Sequence, residues 1–192
     1  MGVEFEVKYQ ADETVQRAIR NEFTGLWETI CMQTTYFDTP EGALARKRYT
    51  LRCRQENERT VCTVKTPAYG IGRGEWDVQE TEIVQAIPML CKLGCPQELL
   101  DLTQNGVIAI CGAKFTRHAL TISFRNSRIE LALDSGVLFA ADRQIPLCEV
   151  EAELKEGCPE DVQAFGRLLE DTYHMKPETK SKFKRAQALI ER

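Results

Sequence analysis

The amino-acid sequence predicts an α+β fold in which antiparallel strands close into a barrel with a charged interior and helices packed outside. Three observations support this prediction: many strand-like segments, amphipathic helical segments between and after them, and a charged face that recurs on strand after strand. A chain of 192 residues is long enough to bury a real core in one domain. We expect that single domain to span residues 1–192.

Alternation of polar and apolar residues with period two predicts strands, and a period of 3.6 residues predicts helices. The predicted strands span residues 2–9, 29–38, 48–56, 59–66, 73–80, 107–118, 120–126, 128–134, 137–141 and 144–154. The predicted helices span residues 11–22, 82–93, 97–104, 159–173 and 181–191. Asp12 is expected to cap the first helix, Asn57 to lie in a hairpin turn, and Pro159 to begin a helix.

The first strand shows the charged face most plainly. Glu4, Glu6 and Lys8 share one face, opposite an apolar face that contains Phe5 and Val7. Paired carboxylates can hold a hard divalent cation, and a lysine beside them can contact a phosphate. For this strand alone, an edge strand with solvated charges is the simpler interpretation.

The other strands reverse that preference because their charges are segregated. Bases concentrate on the middle strands and acids on the first and last, whereas surface charges are usually interspersed. The basic candidates are Lys8, Arg52, Arg54, Lys65, Arg73, Arg117, Arg125 and Lys182. The acidic candidates are Glu4, Glu6, Glu149, Glu151 and Glu153, and the same faces carry Glu75, Asp77, Glu130, Asp134 and Lys155.

This segregation predicts one site with a metal side and a phosphate side. Arginine dominates the basic set, and its planar fork binds phosphate in two places at once. Oxygen-only acidic ligands suit Mg²⁺ or Mn²⁺. The alternative is a sandwich of two sheets, each with one solvated face.

Composition and motifs exclude several other classes. The net charge of -4 gives no overall attraction to nucleic acid, and no apolar run approaches the roughly 20 residues of a membrane span. The sequence has no phosphate-binding Walker loop and no Ser-His-Asp constellation, so a covalent intermediate is not expected. Met1 leads directly into a charged strand, and the eight cysteines lie mostly in apolar contexts. We therefore expect reduced, buried cysteines in a cytoplasmic protein.

An ordered series of motifs runs along nearly the whole chain. It comprises Glu4-x-Glu6-x-Lys8, Tyr36-Phe37-Asp38-Thr39-Pro40, Leu51-Arg52-x-Arg54, Thr63-Val64-Lys65, Arg73-x-Glu75-x-Asp77, Arg117, Asp134-Ser135-Gly136, Glu149-x-Glu151-x-Glu153-Leu154-Lys155 and Ser181-Lys182. The series resembles the CYTH superfamily, the triphosphate tunnel metalloenzymes. The resemblance implies an eight-stranded antiparallel tunnel that holds Mg²⁺ or Mn²⁺ and a triphosphate-bearing substrate.

The resemblance also implies roles for individual residues. Carried over by position, the metal side comprises Glu4, Glu6, Glu149 and Glu151, with Glu153 on the same acid-rich strand. The phosphate contacts carried over are Lys8, Arg52, Arg54, Lys65, Arg117 and Lys182, and Arg73, Glu75 and Asp77 vary in role across the family. Many relatives have Lys-Arg where this chain has Thr116-Arg117, which removes one potential phosphate contact.

The function that the resemblance implies is metal-dependent hydrolysis of a triphosphate, with inorganic triphosphate first, by attack of water on a phosphoryl group. Glu4, Glu6 and Lys8 are the catalytic candidates. The alternatives are a thiamine triphosphatase, a class IV-type adenylyl cyclase, and a binding module for polyphosphate or nucleotide without turnover. We expect a small-molecule triphosphate as the partner, no nucleic acid or membrane, and a monomer or homodimer.

Overall fold

The computed structural model describes residues 5–67 and 74–190, and its strands form one antiparallel sheet. The strands are β1 (Glu6–Gln10), β2 (Glu28–Asp38), β3 (Thr50–Glu56), β4 (Arg59–Lys65), β5 (Glu75–Gln79), β6 (Ile108–Phe124), β7 (Ser127–Ala140), β8 (Arg143–Glu156) and β9 (Lys176–Pro177). The helices are α1 (Glu13–Glu22), α2 (Ala43–Arg46), α3 (Ile83–Lys92), α4 (Glu98–Thr103), α5 (Pro159–Tyr173) and α6 (Lys182–Gln187). The predicted α+β class is confirmed.

The strands pair in the order β5-β4-β3-β2-β6-β7-β8-β1-β9. The first strand therefore pairs with the last long strand, with Glu6 opposite Glu153 and Lys8 opposite Glu151. The family resemblance implied eight strands, and the two-residue strand β9 adds a ninth. This order joins the acid-bearing strands β1 and β8 and places the arginine-bearing strand β3 on the other half of the sheet.

Two of the long strands were each predicted as two short ones. The second break was placed near Gly136, but this glycine lies inside β7. A Cβ atom there would lie 2.5 Å from the Cα atom of Phe115 on β6. Gly136 therefore allows a close approach between two strands, and it does not mark a turn.

Helices cover the apolar outer faces of the sheet in two layers. Helices α3 and α4 pack over β3 to β5 around Leu51, Val64 and Leu90. Helices α1 and α5 pack over β1, β7 and β8, where Ile19 and Phe165 lie in the buried core. Both layers agree with the predicted arrangement of helices outside and charges inside.

The last helix differs from that prediction because α6 packs against the inner face of the sheet. Its apolar residues Ala186 and Leu189 join Met32, Phe115 and Leu138 in a third buried cluster. Helix α6 thus covers apolar residues of the inner face, and its basic residues Lys182 and Arg185 form ion pairs with carboxylates of that face. Across the described ranges, no helix is both long and apolar enough to cross a membrane.

The cysteines correct another prediction. Cys53 and Cys62 lie directly opposite each other on β3 and β4 and form a disulfide. The expectation that every cysteine is reduced is therefore wrong for this pair. Cys31 and Cys158 are exposed, so the expectation of burial is wrong for these two. Most of the cysteines lie in apolar sequence contexts, but the disulfide depends on the register between two strands.

We expect reduction of the Cys53–Cys62 disulfide to lower the free energy of unfolding by up to about 2–3 kcal/mol, since the bond restricts a short loop of the unfolded chain. Urea unfolding with and without dithiothreitol measures this change. The Cys53→Ser variant is the control, and its stability should not respond to the reductant. Equal curves for the unmodified protein in both conditions would contradict the prediction.

Candidate functional site

A charged cavity of about 280 Å³ lies on the inner face of the sheet. Its wall includes six basic side chains: Lys8, Arg52, Arg54, Lys65, Arg117 and Lys182. It also includes four acidic side chains: Glu6, Glu75, Glu151 and Glu153. Strands from both halves of the sheet, together with α6, supply these residues. The excess of positive charge in the wall suits an anionic ligand.

An acidic cluster of Asp134, Glu149 and Glu151 is buried beside this cavity, and Glu151 belongs to both. One carboxylate oxygen from each residue lies within 4.8 Å of the others. The side chains of Asp134 and Glu149 are completely buried, whereas Glu151 also lines the cavity. The cluster forms because Asp134 on β7 is directly opposite Glu149 on β8, and Glu151 follows two residues later on the same face.

Lys182 at the start of α6 neutralises part of this cluster. Its Nζ atom lies 2.8 Å from Oδ2 of Asp134 and 2.9 Å from Oε1 of Glu151, and it also contacts Glu149. Burial lowers the pKa of Lys182, but the three carboxylates outweigh burial and raise it. Lys182 therefore remains an ammonium ion and fixes α6 to the inner wall.

Arg117 on β6 holds the same cluster from another side. Its Nε and Nη2 atoms donate to the two oxygens of Asp134, each at 2.8 Å, and Nη2 also donates to Glu151 at 2.5 Å. Glu130 lies 3.7 Å from Nη1. Burial lowers the pKa of Arg117, but its bonds to Asp134 and the neighbouring carboxylates raise the pKa well above its ordinary value.

The pKa values of the two glutamates in the cluster are shifted in opposite directions. Burial raises the pKa of Glu151, but Lys182, Arg117 and the nearby Lys8 outweigh burial and hold it well below its usual range. Burial dominates at Glu149 and raises its pKa, despite Lys182 and Arg185. The carboxylate that faces the cavity is thus the one held most firmly in its charged form.

The opposite side of the cavity is basic. Arg52 and Arg54 extend from β3, and the ammonium of Lys65 on β4 lies 3.0 Å from Glu75 on β5. Burial, with the neighbouring charge of Arg52, lowers the pKa of Arg54 to about 10. The buried Nε atom of Arg52 has no hydrogen-bond partner within residues 5–67 and 74–190. A buried donor without a partner is costly, and an anion in the cavity would supply the acceptor.

The first strand delivers Glu6 and Lys8 to the cavity as the alternation predicts. The Lys8 ammonium lies 3.3 Å from Oε1 of Glu6 and 3.9 Å from Oε1 of Glu151. The predicted residues Glu4 and Arg73 lie outside the described part of the chain.

Of the remaining predicted residues, Lys155 and Asp77 lie beside residues of the cavity region, and Arg125 lies elsewhere. Lys155 pairs with Glu153 and Glu130, and Asp77 accepts a hydrogen bond from Thr63. Arg125 does not line the cavity, which corrects the prediction. It lies just beyond the end of β6, and its Nη1 atom is 3.3 Å from Asp161 on α5.

Sequence reasoning missed Arg185, although it pairs with the buried Glu149 and lies 3.6 Å from Glu178. Arg185 lies three positions after Lys182 on α6, so both side chains lie on one helix face. This spacing of two basic residues could have predicted from the sequence that Arg185 joins Lys182 at the site. Gln16 was also missed, and its amide donates to the backbone oxygens of Asp134 and Glu149, which fixes the strands that carry the cluster.

The donor set fits a hard divalent cation. Every carboxylate in the cluster and the cavity wall offers oxygen, the ligand type of Mg²⁺ and Mn²⁺. Asp134 and Glu149 are already neutralised by Lys182, Arg117 and Arg185. Of the cluster, Glu151 is the member that also faces the cavity.

Comparison with solved structures supports the fold. A candidate adenylyl cyclase from Hippeastrum with a dominant triphosphatase activity superimposes with a TM-score of 0.64 and 18% identity, covering 98% of this chain and 96% of that chain. A candidate adenylate cyclase from Bacillus halodurans gives a TM-score of 0.63 and 18% identity, covering 95% and 96%.

Comparison with curated sequences finds an inorganic triphosphatase from Haemophilus influenzae. It is 28% identical over 146 residues, which is 74% of this chain and 41% of the relative. The present chain thus matches less than half of that relative's length. The CYTH domain family model matches residues 2–186, nearly the whole chain. By this match, together with the antiparallel sheet and its inward charges, the chain belongs to the CYTH domain family.

Proposed function

We propose that this protein hydrolyses triphosphate compounds with the help of a divalent metal ion, and that inorganic triphosphate is its preferred substrate. The observation that carries the proposal is the cavity wall, where basic side chains from the arginine-bearing strands face carboxylates from β1 and β8. A phosphate chain with a bound cation has the matching distribution of charge.

The basic side chains would bind and orient the phosphate chain. Arg52, Arg54 and Lys65 lie on one half of the sheet, and Lys8, Arg117 and Lys182 lie on the other half or on α6. In this proposal, Arg117 and Lys182 serve two purposes, since they also neutralise the acidic cluster. Charges fixed before the substrate arrives stabilise the developing charge without reorganisation.

Glu151, with Glu6 and Glu153, would hold the metal. All three line the cavity, and Glu6 is directly opposite Glu153 on the neighbouring strand. A bound Mg²⁺ or Mn²⁺ would neutralise phosphoryl oxygens and lower the pKa of a coordinated water. Glu4 belongs to the same proposed set by its sequence position.

Glu6 is proposed to accept the proton of the attacking water, and Lys8 to stabilise the negative charge on the reacting phosphoryl group. Glu6 is the more exposed of the two, and the Lys8 ammonium lies within 3.3 Å of its carboxylate. A carboxylate in this position can accept a proton from the attacking water. The neighbouring ammonium can stabilise the negative oxygen of the reacting phosphoryl group.

Inorganic triphosphate is preferred over larger substrates for two reasons. The cavity of about 280 Å³ lies below the range of roughly 300–1,000 Å³ that is common for drug-sized ligands. The curated relative is an inorganic triphosphatase, and the Hippeastrum protein has a dominant triphosphatase activity. The proposal includes a cytoplasmic location, which the six free cysteines favour and the Cys53–Cys62 disulfide does not.

A panel of phosphate-release assays tests the proposal. Purified protein is incubated with tripolyphosphate, thiamine triphosphate, ATP or pyrophosphate, with Mg²⁺ and Mn²⁺ in parallel and EDTA as the control. We expect the highest kcat/KM for tripolyphosphate and no release in EDTA, because the carboxylates would lack their cation.

The same panel separates the alternatives. Cyclic AMP from ATP would indicate a cyclase, and a preference for thiamine triphosphate would change the proposed substrate. Binding of tripolyphosphate without turnover under either metal would indicate a binding module. No phosphate release from any compound would refute the hydrolase proposal.

A further inference from the structure

Tyr36 on β2 is a cavity residue to which the proposed mechanism gives no role. It lies in the wall of the charged cavity, and only 3% of the residue is exposed. Its ring packs against Phe183 of α6, with 5.0 Å between the ring centroids. The ring is thus held in place by a residue that also lines the cavity.

The hydroxyl group of Tyr36 is a donor that a ligand in the cavity can use. Within residues 5–67 and 74–190, it has no hydrogen-bond partner. The hydroxyl is not completely buried, so it is open to the cavity and can donate to a ligand that binds there.

A second donor without a partner lies beside it. Tyr36 is directly opposite Arg52, whose buried Nε atom also lacks an acceptor across the described ranges. The next inward pair along the same two strands differs, since Nε of Arg54 donates to the hydroxyl of Thr34 at 3.2 Å. Two neighbouring donors that face one cavity therefore remain available to the same ligand.

The positive charges around these two donors indicate that the ligand is an anion. Arg52 and Arg54 place positive charge beside the Tyr36 ring, and burial with Arg52 lowers the pKa of Arg54 to about 10. An anionic oxygen would accept from both free donors and offset the crowded positive charge. A neutral acceptor would accept the hydrogen bonds but would leave the positive charge without compensation.

We infer that Tyr36 is a substrate-binding residue whose hydroxyl donates a hydrogen bond to an anionic oxygen of the bound phosphate chain, next to Arg52. This inference rests on the proposed function. It adds a neutral donor, held in place by ring packing against Phe183, to a wall whose other ligand-binding side chains are cations.

The test replaces Tyr36 by phenylalanine, which removes the hydroxyl and keeps the ring that packs against Phe183. Calorimetric titration with tripolyphosphate in EDTA measures binding without turnover. We expect about tenfold weaker binding, the usual effect of losing a hydrogen bond to a charged group. In Mg²⁺ or Mn²⁺, kcat/KM should fall by a similar factor, mainly through KM.

Tyr9→Phe is the matched control, because Tyr9 is equally buried but belongs to the outer cluster with α5. Its affinity for tripolyphosphate should equal that of the unmodified protein. If Tyr36→Phe also binds with unmodified affinity, the inference is wrong while the proposed function stands. If the unmodified protein neither binds tripolyphosphate in EDTA nor releases phosphate from it with Mg²⁺ or Mn²⁺, the proposed function is wrong and the inference falls with it.

Discussion

Replacement of Lys182 by methionine is expected to lower the free energy of unfolding by about 3–5 kcal/mol at neutral pH, the usual effect of breaking a buried ion pair. The ammonium of Lys182 contacts all three members of the acidic cluster. Methionine has a similar length but no charge, so Asp134 and Glu149 lose the ammonium that both of them contact, and Glu151 keeps only the more distant Lys8 ammonium beside Arg117 within the described residues. Urea unfolding measures the difference.

Lys184→Met provides the matched control, since Lys184 lies on the same helix and is exposed. Its effect should stay within about 0.5 kcal/mol, as for most surface substitutions. Similar losses in the two variants would mean that helix propensity or hydrophobic contacts on α6 dominate, which would contradict the electrostatic argument.

The loss caused by Lys182→Met should become smaller at mildly acidic pH. Burial already raises the pKa of Glu149, so this carboxyl gains a proton at a higher pH in the folded protein than in the unfolded chain. Protonation removes one charge that the variant leaves uncompensated. The raised pKa of Lys182 means that its own contribution is complete throughout this range and is lost only at strongly alkaline pH. A loss that grows as the pH falls would contradict this explanation.

Local alternation predicted which side chains of β1 and β3 share the face that lines the cavity. The period of a strand is fixed by backbone geometry, so Glu6 and Lys8 share a face whatever the rest of the chain does. The same argument placed Arg52 and Arg54 together on β3. The α+β class followed because the opposite faces are apolar and the helices amphipathic.

Features that depend on distant pairing could not be predicted in this way. The position of α6 on the inner face is fixed by contacts of Lys182 and Arg185 with residues more than 30 positions away along the chain. The Cys53–Cys62 disulfide depends on the register of a hairpin. Arg125 was misplaced because β6 ends one residue before it, and the exact end of a strand is a weak signal in sequence.

Replacement of Glu151 by glutamine is expected to lower kcat/KM for tripolyphosphate by about 10³-fold, which corresponds to about 4 kcal/mol of transition-state stabilisation. This prediction rests on the proposed function. Glu151 is the cluster residue that also faces the cavity, and its oxygens lie 3.9 Å from Lys8 and 2.5 Å from Arg117. Glutamine keeps the shape but removes the charge that would hold the metal. Steady-state phosphate release with Mg²⁺ or Mn²⁺ measures the effect.

Stability measurements separate lost chemistry from lost structure in this variant. Lys8, Arg117 and Lys182 outweigh burial and hold the pKa of Glu151 well below its usual range. Glu151 therefore contributes stability above its unfolded pKa of about 4.3, and that stability is lost as the pH falls through the lower folded pKa. The Glu151→Gln variant should lack this part of the acid dependence, because glutamine does not titrate.

Glu156→Gln, at the exposed end of the same strand, is the control and should keep both full activity and the acid dependence. The decisive comparison is made under conditions where urea unfolding shows that each variant is fully folded. If folded Glu151→Gln keeps more than about a tenth of the unmodified kcat/KM, a loss of under about 1.4 kcal/mol, then Glu151 is not essential for holding the metal. The metal would then have to be held by other carboxylates of the cavity wall, and Glu151 would serve chiefly to fix Arg117 and Lys182 in place.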